Sequence, residues 1–240
     1  MQAKNYDTAL FIANHWIAES EGYARGCSTW WHYYGLGTPL PVTHRGGEVD
    51  DAVTVNQVIP WMVARRSPWF AYVHLMGPHA PYDTPSRVYD FGERWVDEYD
   101  AKLRYCDAQV GRLLAAVPAD TLVIITADHG EEFGEHGGIG HGQTLHDEVL
   151  HVPLIIRWPG HEPRVETGLV GLDRIAPALL DGMLPETGGE VRCHLERRDI
   201  DNTLIEVLTR TVTEVDAIEE APAVDAEALR REQLEALGYF

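Results

Sequence analysis

The chain has 240 residues, 45% of them hydrophobic, which is long and apolar enough to bury a core and argues against global disorder. Acidic residues outnumber basic ones, 38 against 19, for a net charge of −19, which argues against nonspecific binding to nucleic acid or to an anionic membrane. The three cysteines, Cys27, Cys106 and Cys193, contain no Cys-x-x-Cys pair, so neither a Cys-rich zinc site nor a disulfide framework is expected.

In chain order, residues 7–17 (DTALFIANHWI) read as a strand leading into an aromatic loop, and residues 23–48, rich in Gly, Trp and Tyr, as a long loop. Residues 50–66 space Val53, Val55, Val58, Ile59, Met62 and Val63 as a helix does, with Pro60 as a conflicting signal. Residues 69–76 (WFAYVHLM) read as a buried strand closed by Gly77 and Pro78. The strongest helix is 93–117, where Trp95, Tyr99, Leu103, Cys106, Val110, Leu113, Leu114 and Val117 recur on one face. A strand over 121–126 follows, then a short helix over 143–151, a strand over 152–157 and a helix over 169–184 that Pro177 starts or interrupts. After 185 the pattern fades; residues 213–224 read as an acidic linker and 225–237 as a short amphipathic helix. Strands alternating with helices predict an α/β protein with a largely parallel sheet.

Only two lysines, Lys4 and Lys102, accompany the acidic excess, which points either to a salt-adapted surface or to an ordinary acidic cytosolic protein. No apolar segment approaches the roughly 20 residues that span a bilayer, and the first ten residues hold no signal-peptide core. The expectation is a cytoplasmic protein without a membrane or nucleic-acid partner.

The most informative stretch runs from Thr121 to His146. The apolar run Leu122 to Ile125 stops at Asp128, His129 and Gly130, and a Gly-rich loop with further histidines follows. In open α/β sheets ligands bind where strands end. An adjacent carboxylate and imidazole can hold one divalent cation there, with Ca²⁺, Mg²⁺ and Mn²⁺ all compatible and Zn²⁺ less so. The competing reading makes Asp128 a cap and His129 a surface residue. His141, between Gly140 and Gly142, could bind an anionic oxygen or protonate a leaving group. His79, stiffened by Pro78 and Pro81, follows the strand 69–76 and is a candidate substrate contact on the same sheet edge as Asp128. His136 and His151 are assigned to structure, and His146 to packing.

Four segments carry a family resemblance: Phe70-Ala-Tyr-Val-His-Leu-Met-Gly-Pro-His-Ala-Pro-Tyr82, Tyr99 to Leu114, Thr126-Ala-Asp-His-Gly-Glu-Glu-Phe-Gly-Glu-His-Gly137, and Leu145-His-Asp-Glu-Val-Leu-His-Val-Pro-Leu-Ile-Ile156 with Pro159 and Gly160. Together they resemble the sulfatase family, within the alkaline phosphatase superfamily. The resemblance implies a three-layer α/β/α sandwich with a mostly parallel sheet, incomplete relative to the full family fold. It implies hydrolysis of a small-molecule or glycan sulfate ester at one divalent cation, Ca²⁺ ahead of Mg²⁺ or Mn²⁺. By motif position Asp128 and His129 are metal ligands. His79 contacts the sulfate, and His141 both contacts it and assists the leaving group. The Cys/Ser-x-Pro-Ser-Arg motif that supplies the family nucleophile does not occur; Thr84-Pro-Ser-Arg87 comes near it but has Asp83 at the nucleophile position. The expectation is therefore an N-terminally truncated sulfatase, with residues 1–184 a partial catalytic domain and 185–240 a reduced C-terminal segment, and with little or no activity by itself. Phosphodiesterase, phosphonate hydrolase or phosphotransferase chemistry of the same superfamily, or a non-catalytic remnant, are the alternatives.

Overall fold

A computed structural model describes residues 5–14, 17, 22–33, 50–80, 82, 89–92, 94–198 and 204–212. The chain forms two compact units, Met1–Pro118 and Ala119–Phe240.

The first unit is built on a parallel three-stranded sheet. Strand β1 (Asp7–Ile12) lies between β2 (Thr29–His32) and β3 (Trp69–His74). Thr8, Ala9, Phe11 and Ile12 are all buried, so β1 is covered on both faces, as the centre of a parallel sheet should be. Strand β2 falls in the stretch whose composition reads as loop. It is held there by a reciprocal pair of hydroxyls: Thr8 N donates to Ser28 Oγ at 3.0 Å, and Ser28 N to Thr8 Oγ1 at 3.0 Å. Trp31 then packs on Phe11 of β1, a tertiary contact that local composition does not signal.

Helix α1 (Asp51–Val63) runs through Pro60, whose ring faces solvent. Asp50 caps it by accepting from Ala52 N at 2.9 Å. Helix α2 (Trp95–Ala116) matches the predicted span closely, but its inward side carries Ala101, Lys102 and Gln109, while Leu103 is exposed. The stripe is therefore rotated from the one the apolar spacing predicts, because α2 closes over a polar feature. Ala9, Phe11 and Val58 make the central core, against which Trp31, Trp61, Val73 and Leu113 pack.

That polar feature is Asp51, fully buried at the first turn of α1. Its Oδ1 accepts from Met76 N at 3.0 Å and from Gly77 N at 3.2 Å, which fastens the loop after β3 to the helix. A Cβ at Gly77 would stand 2.1 Å from Asp51 Oδ2, so only glycine permits the approach. Burial raises the Asp51 carboxyl above its ordinary range; the Met76 and Gly77 amides, the Cys106 thiol and Lys102 pull the other way. Burial, and then the Asp51 charge, likewise push the Cys106 thiol well up.

The second unit opens with β4 (Val123–Thr126), which pairs antiparallel with β7 (Leu154–Arg157). The sequence reading expects a largely parallel sheet, and this pair departs from it. The excursion between β4 and β7 contains only the hairpin β5 (Glu132–Phe133) and β6 (Ile139–Gly140) and the one-turn helix α3 (Asp147–Leu150). These elements fold locally, and β7 returns beside β4 in the opposite direction. A 3-10 turn (Leu172–Arg174) leads into α4 (Ile175–Asp181), which accommodates Pro177 in its first turn. Residues read as featureless past 185 contain an antiparallel hairpin, β8 (Val191–Arg198) with β9 (Leu204–Val212). The helix expected over 225–237 and the Asp83–Arg87 segment lie outside the described residues. Among the described residues no helix is long and apolar enough to cross a membrane.

A raised carboxyl makes a signed prediction. The folded state favours protonated Asp51, so its contribution is present below the unfolded carboxyl value and is lost as pH rises through the folded one. Wild type should therefore lose stability relative to Asp51→Asn as pH rises above the ordinary carboxyl value of about 4, read from urea midpoints at each pH. A difference that stays flat over this rise contradicts the assignment.

Candidate active site

The site forms where β4 ends and the chain turns toward α3. Gly130 N donates to Val149 O at 2.7 Å, and Glu131 N to Glu148 O at 3.0 Å, so the loop lies directly on the helix backbone. A Cβ at position 130 would sit 2.0 Å from Glu148 O. Backbone cannot retreat as a flexible side chain can, and glycine is the residue that fits.

This contact presents Asp128 and His129 side by side. Asp128 Oδ1 accepts from His129 N at 3.1 Å, and His129 Nε2 stands 3.8 Å from the same oxygen. His129 Nδ1 lies 2.9 Å from Gly130 O. With Nδ1–H given to that carbonyl, the Nε2 lone pair is available, the outer-shell arrangement that metal-binding histidines use. Asp128 is largely exposed, so its carboxylate keeps acceptor capacity. Both donors can reach one divalent cation, and they supply two of its positions.

His141 follows β6 and stacks on His129, with ring centroids 3.9 Å apart and planes inclined by 25°. Its Nδ1 lies 2.7 Å from Oε1 of Glu131, whose side chain is buried. A carboxylate on Nδ1 fixes the ring and its tautomer and directs Nε2 outward. Three of the four residues singled out from sequence, Asp128, His129 and His141, thus form one constellation. His79 belongs to the first unit, exposed just beyond β3; its backbone N donates to Met76 O at 3.0 Å, and its Nδ1 lies 2.6 Å from Ala80 O. The loop that carries it is the one Asp51 fastens.

Sequence reasoning passed over Glu131 and Glu132. Both are buried. Their burial has one sequence correlate, the pair of glutamates between Gly130 and the apolar Phe133. Glu132, His136 and His146 bring one ligand atom each within 4.8 Å of one another and could hold a metal. Burial raises the thiols of Cys27 and Cys106 above their ordinary value, which leaves them protonated and poorly nucleophilic.

A parallel sheet with helices in the first unit and a ligand corner at a strand end in the second make this an α/β protein, and its fold resembles that of the alkaline phosphatase superfamily. A crystal structure of a protein in that superfamily from Vibrio parahaemolyticus superposes with a TM-score of 0.57 at 16% identity, covering 100% of this chain and 67% of that one. The sulfatase family's sequence model matches residues 1–183, and the chain belongs to the sulfatase family. It is 33% identical to iduronate 2-sulfatase of Homo sapiens over 118 residues, covering 47% of this chain and 20% of that protein. It is 31% identical to the low-salt glycan biosynthesis sulfotransferase Agl7 of Haloferax volcanii over 141 residues, covering 50% of this chain and 35% of the relative. The chain thus spans about a fifth to a third of the length of these relatives.

Gly130→Ala should destabilise the protein by about 1–3 kcal/mol, the range for forcing a methyl group against packed atoms. Gly111→Ala, in the exposed middle of α2 with open space around it, should stabilise by about 0.5–1 kcal/mol. Urea midpoints of the two variants should move in opposite directions; equal shifts would remove the case for a close backbone contact at 130.

Proposed function

We propose that this chain carries the metal and leaving-group side of a sulfatase-type hydrolase site for sulfate esters. The observation that carries this reading is the Asp128–His129–His141 constellation, in which a carboxylate and an imidazole offer donors 3.8 Å apart beside a second imidazole braced by Glu131. Asp128 Oδ1 and His129 Nε2 would hold a divalent cation. Ca²⁺ is the first choice by family motif, and Mg²⁺ or Mn²⁺ suit the same donors. Such an ion supplies charge that polarises the sulfuryl oxygens.

The protein's own groups do the rest. Glu131 holds the His141 ring by Nδ1, so that Nε2 can give a proton to the ester oxygen as the S–O bond breaks. The stacked His129 restricts that ring further. For His79 the support is its motif position, which assigns it a contact with the sulfate. Residues 1–184 form the catalytic portion in this reading.

Two ligands hold Ca²⁺ weakly, since that ion takes six to eight oxygens. The sequence contains no Cys/Ser-x-Pro-Ser-Arg motif. The 240-residue chain alone should therefore hydrolyse an aryl sulfate orders of magnitude more slowly than a full-length relative. Rapid turnover by the purified chain would refute this. Grafting residues 126–160 into a full-length sulfatase should preserve turnover, and His141→Ala in that graft should lower kcat by about 10²–10⁴-fold with little change in KM. The likeness to Agl7, a sulfotransferase by name, favours a second reading in which the acceptor is not water; measuring sulfated acceptor against free sulfate in the graft separates the two.

A further inference from the structure

The hairpin β5–β6 and the start of α3 hold a second group of donors that uses none of Asp128, His129 or His141. Glu132 opens β5, His136 lies in the hairpin turn, and His146 precedes α3. Their donor atoms lie within 4.8 Å of one another. The two imidazoles stack with centroids 4.0 Å apart and planes only 7° from parallel.

Two further observations point to a cation. Glu132 is 1% exposed; its Oε2 accepts from Thr144 Oγ1 at 2.8 Å, but its Oε1 is buried with no hydrogen-bond partner. The Glu148 side chain is 9% exposed: its Oε1 lies 3.1 Å from His136 Nδ1, and its Oε2 is buried with no hydrogen-bond partner. Among the described residues neither carboxylate makes an ion pair with a lysine or arginine. Two buried carboxylates with open acceptor sites and no cationic side chain are costly unless a positive charge compensates them.

We propose that Glu132, His136 and His146 bind one Zn²⁺ ion that clips the hairpin to the start of α3. Two imidazoles and one carboxylate are a donor set suited to zinc rather than to Ca²⁺, which prefers oxygen alone. Glu148 takes the Nδ1–H of His136 and leaves Nε2 for the metal, the carboxylate–histidine–metal relay of many zinc proteins. Water fills the fourth position. Tetrahedral zinc at about 2.1 Å from each ligand sets donors about 3.4 Å apart, so the group must draw in by little more than an ångström at most. His136, half-exposed on its turn, can supply that movement. The clip would brace the same loop that carries Glu131 and His141, and its existence does not depend on the hydrolase reading.

The test uses the whole 240-residue chain, free of any affinity tag, stripped with EDTA and titrated with Zn²⁺ by calorimetry and with Co²⁺ by visible absorption. One equivalent of Zn²⁺ should bind at micromolar affinity or tighter and raise Tm, and Co²⁺ should give the intense bands of a tetrahedral site. His146→Phe keeps the ring stack and removes the nitrogen; His136→Gln alters an exposed position and so spares the fold. Each should weaken Zn²⁺ binding by more than about 100-fold, beyond the usual loss for an outer-shell partner. The double variant Asp128→Asn/His129→Gln should bind Zn²⁺ as wild type does. No Zn²⁺ uptake by wild type, unchanged affinity in both histidine variants, or loss of binding in the Asp128/His129 variant instead would each overturn the proposal.

Discussion

The second unit is organised by a backbone-to-backbone contact at a residue without a side chain. Gly130 presses on the carbonyl of Glu148 and donates to that of Val149. Several of the chemically important residues of this unit flank that contact directly. Asp128 and His129 precede it, and Glu131 and Glu132 follow it. The helix it rests on brings His146 and Glu148 from the other side. Were the loop to lift, the carboxylates would regain water, and the two stacked histidine pairs would lose the walls that align them. A polar, glycine-rich loop of this kind has little apolar surface to order it. It is fixed instead by hydrogen bonds to a neighbouring backbone that cannot itself relax.

The first unit solves the same problem by a different device. There a buried carboxylate, Asp51, gathers the two amides of the turn after β3, and a glycine again permits the approach. The burial of a charge is tolerated because amides, a thiol and the buried Lys102 surround it. The same grouping explains why the inward side of α2 is part polar. The helix covers Asp51 as much as it covers the aromatic core of Phe11, Trp31 and Trp61.

The elements that the sequence made legible are those with a long or uninterrupted apolar signal. The strands at Asp7–Ile12, Trp69–His74 and Val123–Thr126 and the helices Asp51–Val63 and Trp95–Ala116 all fall where periodicity predicts them. Strand β2 and the β8–β9 hairpin were hidden, because their order comes from partners rather than from an apolar run of their own. The direction of β7 was hidden too, since an apolar tetrapeptide carries no information on whether its neighbour runs with it or against it. In the site, Asp128 and His129 stood out because they break an apolar strand abruptly. His141 stood out through its flanking glycines. Glu131 and Glu132 did not, because in a chain of net charge −19 a glutamate pair looks like one more solvated patch. Their role depends on burial, which is a property of the fold.

The topology also bears on the order in which the molecule assembles. Asp7 pairs with Trp69 across about sixty residues, so closing that sheet carries a long-loop entropy cost before any core contact rewards it. Glu132 meets Gly140 across a short turn, and hairpins of that size close within microseconds. Strand β1 therefore meets β2 across some twenty residues but its other edge is completed only when β3 is in place. The later loop, by contrast, can take shape almost as soon as it is made.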